Sequence, residues 1–161
     1  MKIEKLMTKN VITVELDDSL RLVKKTFDNA SFHHILVVEK GVLYGVISDR
    51  DLLKTISPNI DTPREKAQDT ATLNKKVHQV MSRRPICAKA EQDIFAAIAI
   101  INKHNISCLP IVNEKNQPIG ILTWRDILTE IEKITIERNK VKHNAHEPIF
   151  LYLRVHIGRT F

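Results

Sequence analysis

The sequence has little of the residues that mark several common classes of protein. Its 161 residues include two cysteines, Cys87 and Cys108, too few for a disulfide framework or a cysteine-rich zinc site. Both stand in apolar surroundings, which favours buried free thiols over a redox role. Aromatic residues make up only 5% of the chain, so a stacking platform for single-stranded nucleic acid is not indicated. No apolar run approaches the roughly 20 residues of a membrane span, and the charged start lacks the apolar core of a signal peptide. We therefore expect a cytoplasmic protein without a membrane segment.

The charge balance is basic but has no clear pattern. Lysine and arginine outnumber aspartate and glutamate by 25 to 19, which gives a formal net charge of +6. The basic residues are scattered and form only short pairs, such as Arg83-Arg84. Scattered charge is typical of a solvated surface, so a nucleic acid partner is permitted but disfavoured.

The clearest signal is an internal repeat. Residues 45–51 and 120–126 both follow the pattern of glycine, two apolar residues, serine or threonine, any residue, arginine and aspartate. One additional residue in the second hairpin turn accounts for the offset of 75 between these glycines, against about 74 elsewhere. The sequence therefore predicts a duplication. At the offset of 74 the aligned segments are 6–8 with 80–82, 11–14 with 85–88, and 34–38 with 108–112.

Each repeat predicts the same order of elements, β-α-β-β-α. A short apolar strand leads through acidic or polar residues to an amphipathic helix that starts near Leu20 or Ile94. Two strands joined by a turn follow, and their continuous apolar character predicts burial on both faces. A second helix opens at Ser48 or Thr123, and the latter helix is expected to run to about Lys140. The predicted strands are 11–14, 35–38 and 43–47 in the first repeat and 86–88, 109–112 and 119–122 in the second.

These patterns divide the chain into a first repeat at residues 1–58, a linker at 59–76, a second repeat at 77–140 and a tail at 141–161. Prolines and turn formers indicate that the linker is a surface excursion, with partial helix after Pro63 as an option. The tail carries a run rich in β-branched and aromatic residues. An added strand, an apolar segment that docks on another copy, and a disordered end all stay open for it.

Two such repeats, each closing on the Gly-apolar-apolar-Ser/Thr-x-Arg-Asp pattern, resemble a pair of cystathionine β-synthase (CBS) domains, the Bateman module. The resemblance covers residues 1–140 and includes Leu-Met-Thr at 6–8, Val-Met-Ser at 80–82 and Leu-Pro-Ile-Val at 109–112. It implies an α+β fold in which two three-stranded sheets pack together with pseudo-twofold symmetry. It also implies two clefts for adenosine-containing ligands, such as AMP, ADP, ATP or S-adenosylmethionine, and assembly into a homodimer.

The repeated pattern also has the chemistry of a nucleotide site. Backbone N–H groups at a helix start, a hydroxyl and a guanidinium suit a phosphate. A carboxylate is repelled by phosphate but accepts hydrogen bonds from the two hydroxyls of a ribose. The same Ser/Thr-x-x-Asp spacing also describes a helix cap, which is the alternative interpretation. The residues are Ser48, Arg50 and Asp51 in the first repeat and Thr123, Arg125 and Asp126 in the second.

The base of such a ligand needs an apolar slot with backbone groups. In modules that resemble this chain, the Ser/Thr-x-x-Asp of one repeat is completed by the first strand of the other repeat. Kinase γ-subunits with this fold place basic residues that reach phosphate where this chain has His33 and His34. The resemblance therefore makes the Ser48 site the better phosphate site. The alternative is that neither histidine binds a ligand, and that one lies on the surface and the other is packed in the fold. The candidates for the base and its surroundings are Ile12, Thr13, His33, His34, Ile86, Ser107, Cys108 and Pro110.

The sequence therefore predicts a regulatory module that senses adenine nucleotides and acts in trans on a protein effector. It contains no nucleophile elbow, Walker loop or metal-ligand cluster, so we expect no enzymatic activity, no metal and no required cofactor. The alternative function, which rests on the net charge, is a nucleic-acid-binding or structural interaction module without a nucleotide ligand.

Overall fold

A computed structural model describes the backbone of residues 1–143 and the side chains as far as residue 139. The tail alternatives for residues 144–161 lie outside these described residues. The strands are Thr13–Glu15 (β1), His34–Glu39 (β2), Val42–Ser48 (β3), Ser82–Arg83 (β4), Cys108–Val112 (β5) and Pro118–Thr123 (β6). The helices are Leu20–Asp28 (α1), Asp49–Thr55 (α2), Ala67–Ala71 (α3), Ile94–His104 (α4) and Trp124–His143 (α5), with short 3₁₀ turns at Ile3–Lys5, Thr72–Asn74 and Val77–Gln79. The unit Met1–Trp124 holds these six strands, and a second unit begins at Arg125 and continues α5.

The helices confirm the amphipathic pattern of the sequence. In α1 the apolar side chains of Leu20 and Val23 are fully buried, and in α4 Ile94 and Ala97 are buried. The carboxylate of Asp93 accepts a hydrogen bond from the Phe95 N–H at 2.8 Å and so caps α4. The positions predicted for the two helix starts are therefore correct. The apolar stripe of α5 is buried only in part, because Ile127 is buried whereas Ile131 is 52% exposed.

The two sheets pack on each other through apolar side chains. The first sheet has the order β1-β2-β3-β4, with β1 parallel to β2 and the other pairs antiparallel, and the second is the antiparallel pair β5-β6. Four consecutive residues of β2 and all five residues of β5 are buried, as the continuous apolar strands predicted. One core cluster joins both sheets, with Leu36, Leu43 and Val46 on the first sheet and Cys108 and Val112 on the second.

The second sheet differs from the predicted three strands. Residues 86–88 form no strand and meet β5 only through a bridge between Ala88 and Ile111. In the first sheet the Leu36 N–H donates to the Ile12 carbonyl at 3.2 Å. The position equivalent to Leu36 is Pro110, which has no N–H to donate to Ile86. The missing donor explains why the pairing does not extend from Ala88 back to Cys87, as it does at the equivalent Thr13 and Leu36 in the first sheet.

The start of each repeat packs on the other repeat. The Val77 N–H donates to the Asp18 carbonyl, and the Ile3 N–H donates to the Gln92 carbonyl, both at 2.9 Å. The two bonds are related by the offset of 74. We call this mutual crossing of the two starting segments the exchange. It also adds β4 to the first sheet and a bridge between Thr8 and Ile121 to the second. The exchange gives the two halves their pseudo-twofold relation and explains the four-stranded first sheet.

Most of the linker lies on the surface, as predicted, since residues 61–68 are all exposed, but three of its side chains are buried, those of Ile60, Asp69 and Leu73. Ile60 and Leu73 are buried in the core of the first half, beside Leu20 and Val23. Prolines prevent regular structure before residue 64, and α3 confirms the helix expected after Pro63. The linker therefore stabilises the first half as well as connecting the two repeats.

Candidate functional site

Ser48 and Asp51 form a reciprocal helix cap at the start of α2. The Asp51 N–H donates to the Ser48 hydroxyl oxygen at 3.2 Å, and the Ser48 N–H donates back to Asp51 Oδ2 at 2.9 Å. The Ser48 hydroxyl also donates to Oδ2 at 2.7 Å. The capping interpretation is therefore correct for the first repeat. Within residues 1–139 these contacts engage one carboxylate oxygen, so the cap also fixes the direction in which Asp51 presents its other oxygen.

Asp51 lines a hollow of about 490 Å³, which we call the Asp51 hollow. Its volume is within the range of about 300–1,000 Å³ that is common for small-molecule sites. The first repeat supplies one wall from α2, and the segment that enters the second repeat supplies the other. The hollow is lined by Asp51, Lys54, Thr55, Lys75, Gln79 and Val80.

The two adjacent histidines have different environments. His33 is exposed, and its Nδ1 lies 2.7 Å from Asp49 Oδ2, within hydrogen-bond distance. His34 is half-buried, and its Nε2 lies 2.9 Å from the Ser107 hydroxyl, which joins the two repeats. Burial lowers the pKa of His34, although the nearby Asp49 carboxylate acts in the opposite direction. The neutral form of His34 is therefore favoured. One surface histidine and one packed histidine is what the alternative interpretation predicted.

Three predicted contacts of the second repeat lie in or near the core. Cys108 and Pro110 are buried, and Ile86 is half-buried. Burial raises the pKa of the Cys108 thiol to about 12, and it also raises the pKa of the half-buried Cys87 thiol. Both thiols are thus held in the unreactive protonated form. The prediction of a buried free thiol is confirmed for Cys108, whereas Cys87 is only half-buried. That Cys108, Pro110 and Ile86 contact a ligand stays a prediction.

The other predicted site residues occupy surface or junction positions. Ile12 is 46% exposed just before β1, Thr13 is exposed in β1, and Arg50 is exposed in the first turn of α2. In the second repeat Thr123 ends β6, and Arg125 and Asp126 stand in the first turn of α5. Asp51 is the one predicted residue that lines the Asp51 hollow, with Ser48 bonded to it.

Sequence reasoning missed most of the wall of the Asp51 hollow. Lys54 and Thr55 follow Asp51 by three and four residues, a spacing that places all three on one face of a helix and could have identified them. Lys75 and Gln79 gave no such signal. They reach the hollow because the start of the second repeat crosses onto the first repeat, which periodicity within one repeat does not reveal.

Two kinds of feature are absent from the described part of the chain. No helix within residues 1–143 combines the length and apolar character needed to cross a membrane. No group of three or more histidine, cysteine, aspartate or glutamate side chains in this part of the chain is arranged to hold a metal ion.

Comparison with known proteins gives consistent results. A sequence model of the CBS domain matches residues 3–58 and 77–133. A CBS domain-containing protein of Dictyostelium discoideum is 31% identical over 134 residues, which are 82% of this chain and 92% of that protein. Two longer relatives from Methanocaldococcus jannaschii are matched over only 36% and 23% of their own length. This chain therefore corresponds to only a part of such proteins.

Solved structures share the fold. The CBS domain pair of the protein MJ0100, in complex with 5-methylthioadenosine and S-adenosyl-L-methionine, superposes with a TM-score of 0.68 at 22% identity, over 83% of this chain and 97% of that one. The structure of CBSX2 in complex with AMP gives a TM-score of 0.68 at 22% identity, over 83% and 98%. At this identity the likeness establishes a common fold of two packed β-α-β-β-α repeats.

Proposed function

Because the chain belongs to the CBS domain family and matches its model twice in tandem, we propose that it is a regulatory module that binds an adenosine-containing ligand. The observation that carries the proposal is the Asp51 hollow, where the carboxylate of the repeated pattern meets residues of the other repeat. Two proteins of this fold have structures with such ligands, 5-methylthioadenosine and S-adenosyl-L-methionine in one and AMP in the other.

In this proposal the cap and the ligand site share Asp51. The Ser48 hydroxyl and N–H hold Oδ2, and Oδ1 accepts hydrogen bonds from the ribose hydroxyls. A carboxylate held by two donors is positioned before the ligand arrives, so binding costs less side-chain entropy. The two interpretations of the Ser-x-x-Asp pattern are therefore compatible. In the second repeat the pattern assigns the corresponding roles to Thr123, Arg125 and Asp126.

The response is a shift between packing states of the two repeats. A ligand that touches α2 and the segment 75–80 binds both repeats at once, and it favours whichever arrangement it contacts better. A protein effector in the cytoplasm reads this change, and the module acts as a homodimer without catalysis of its own. Effector, compartment and dimer are parts of the proposal.

Calorimetric titration with adenosine, AMP, ATP and S-adenosylmethionine tests the proposal, with a duplex oligonucleotide as the competing ligand. Asp51→Asn keeps one oxygen for the cap and replaces the other acceptor by a donor. We expect it to weaken adenosine binding about ten- to hundredfold, the value of hydrogen bonds to a charged group. The matched control is Asp61→Asn, which removes an exposed carboxylate outside the Asp51 hollow and should leave binding unchanged. Binding of the oligonucleotide alone, or equal binding by both variants, would refute the proposal.

A further inference from the structure

The Asp51 hollow contains more positive than negative charge. Asp51, Lys54 and Thr55 lie on one face of α2, and Lys75 faces them from the segment that enters the second repeat. The Lys75 backbone is fixed, because its carbonyl accepts the Leu20 N–H at 2.9 Å. The hollow thus combines two lysine ammonium groups with a single carboxylate.

These two ammonium groups differ from several others in the protein. Lys24 is paired with Asp28 and Asp61, each at 2.6 Å, and Lys76 donates to the Asp17 carbonyl at 2.7 Å. Within residues 1–139, by contrast, Lys54 and Lys75 make neither an ion pair nor a side-chain hydrogen bond. Among the described residues they are charged donors that face a common space without a paired carboxylate.

We propose that Lys54 and Lys75 make the Asp51 hollow selective for adenosine ligands that carry phosphate, and that they disfavour the positively charged sulfonium of S-adenosylmethionine. This inference rests on the proposed function, since it assumes that Asp51 holds the ribose. A phosphate chain that leaves the ribose then shares the hollow with two flexible ammonium groups, which bind phosphate as point charges. A sulfonium in the same place meets two like charges, which oppose its binding.

The test compares adenosine, AMP, ATP and S-adenosylmethionine by calorimetry on the full chain and on Lys54→Gln and Lys75→Gln. We expect affinity to rise from adenosine to ATP in the unchanged protein. Each substitution should reduce ATP affinity about two- to fivefold, because the pairs are open to solvent, and should leave adenosine affinity unchanged. Binding of S-adenosylmethionine should improve in both variants. The control is Lys25→Gln, which removes an exposed lysine of α1 outside the hollow and so changes the net charge by the same amount.

The two proposals fail in different ways. If adenosine binds and depends on Asp51, but phosphates add no affinity or the two lysine variants match Lys25→Gln, the selectivity is refuted and the adenosine site stands. If S-adenosylmethionine binds more tightly than ATP in the unchanged protein, the selectivity is likewise refuted. If no adenosine compound binds, both proposals are refuted.

Discussion

At the residue scale, the two glycines of the repeated pattern are needed for close approach between the repeats. A Cβ atom at Gly45 would lie 2.5 Å from the Met81 sulfur and 2.9 Å from the Ser82 carbonyl oxygen. At Gly120 it would lie 2.6 Å from the Met7 sulfur and 3.2 Å from the Thr8 carbonyl oxygen. The glycine of each pattern therefore leaves room for the crossing start of the opposite repeat, and its role is packing.

Gly45→Ala is expected to lower the free energy of unfolding by about 1–3 kcal/mol, the usual cost of overpacking, and Gly120→Ala is expected to cost less. The reason is that a backbone carbonyl blocks the first site, whereas the flexible side chain of Met7 is the main obstacle at the second. Urea unfolding of both variants measures the difference. Adding Met7→Ala to Gly120→Ala should recover stability, and strictly additive losses in that pair would contradict the explanation.

At the element scale, the linker is ordered by a buried carboxylate. Asp69 is 6% exposed and accepts hydrogen bonds from the Ser57 hydroxyl at 2.6 Å, the Lys66 N–H at 2.9 Å and the Asn59 amide at 3.4 Å. These bonds hold the pKa of the carboxyl below its usual range, and the bond from Ser57 has the largest effect. One ionised side chain thus ties together the segment on either side of the prolines.

Asp69→Asn is expected to loosen the linker at neutral pH. The amide nitrogen that replaces one carboxylate oxygen cannot accept the hydrogen bond that this oxygen receives in the unchanged protein. Hydrogen exchange of residues 57–74 measures this loosening, and Glu91→Gln, which removes an exposed carboxylate outside the linker, is the control. Since the folded pKa is depressed, the contribution of Asp69 is complete above its unfolded pKa and is lost as the pH falls through the folded value. The variant and the unchanged protein should therefore converge in acid. A difference that grows in acid would show that the charge is not what matters.

The elements also show how far the sequence could lead. Periodicity located α1, α4 and the hairpin strands, because each buries an apolar face that a single repeat determines. It failed at residues 86–88, where Pro110 has no N–H to pair with the segment beside Cys87. It also failed for the wall of the Asp51 hollow, which is built from the opposite repeat. Local pattern predicts local elements, whereas the site brings together residues that are distant in the sequence, such as Asp51 and Gln79, which are 28 residues apart.

At the scale of the whole molecule, the exchange of starting segments links the stability of each repeat to the other. Ile3 and Val77 are equivalent in the offset of 74, both are fully buried, and each follows a segment that packs on the opposite repeat. Val77 belongs to the core of the first half. A ligand in the Asp51 hollow contacts the same segment at Lys75 and Gln79, so binding and the fit between repeats are coupled.

Ile3→Ala and Val77→Ala are each expected to lower the free energy of unfolding by about 2–4 kcal/mol, as large-to-small core substitutions do. The location of the effect is the sharper prediction. Hydrogen exchange should increase near Gln92 and Ile121 for Ile3→Ala, and near Asp18 and Gly45 for Val77→Ala, because those are the strands and turns that each segment covers. Effects confined to the repeat in which each residue stands in sequence would contradict the exchange. Only Val77→Ala should also weaken a ligand held in the Asp51 hollow, because the segment that it disturbs forms one wall of that hollow.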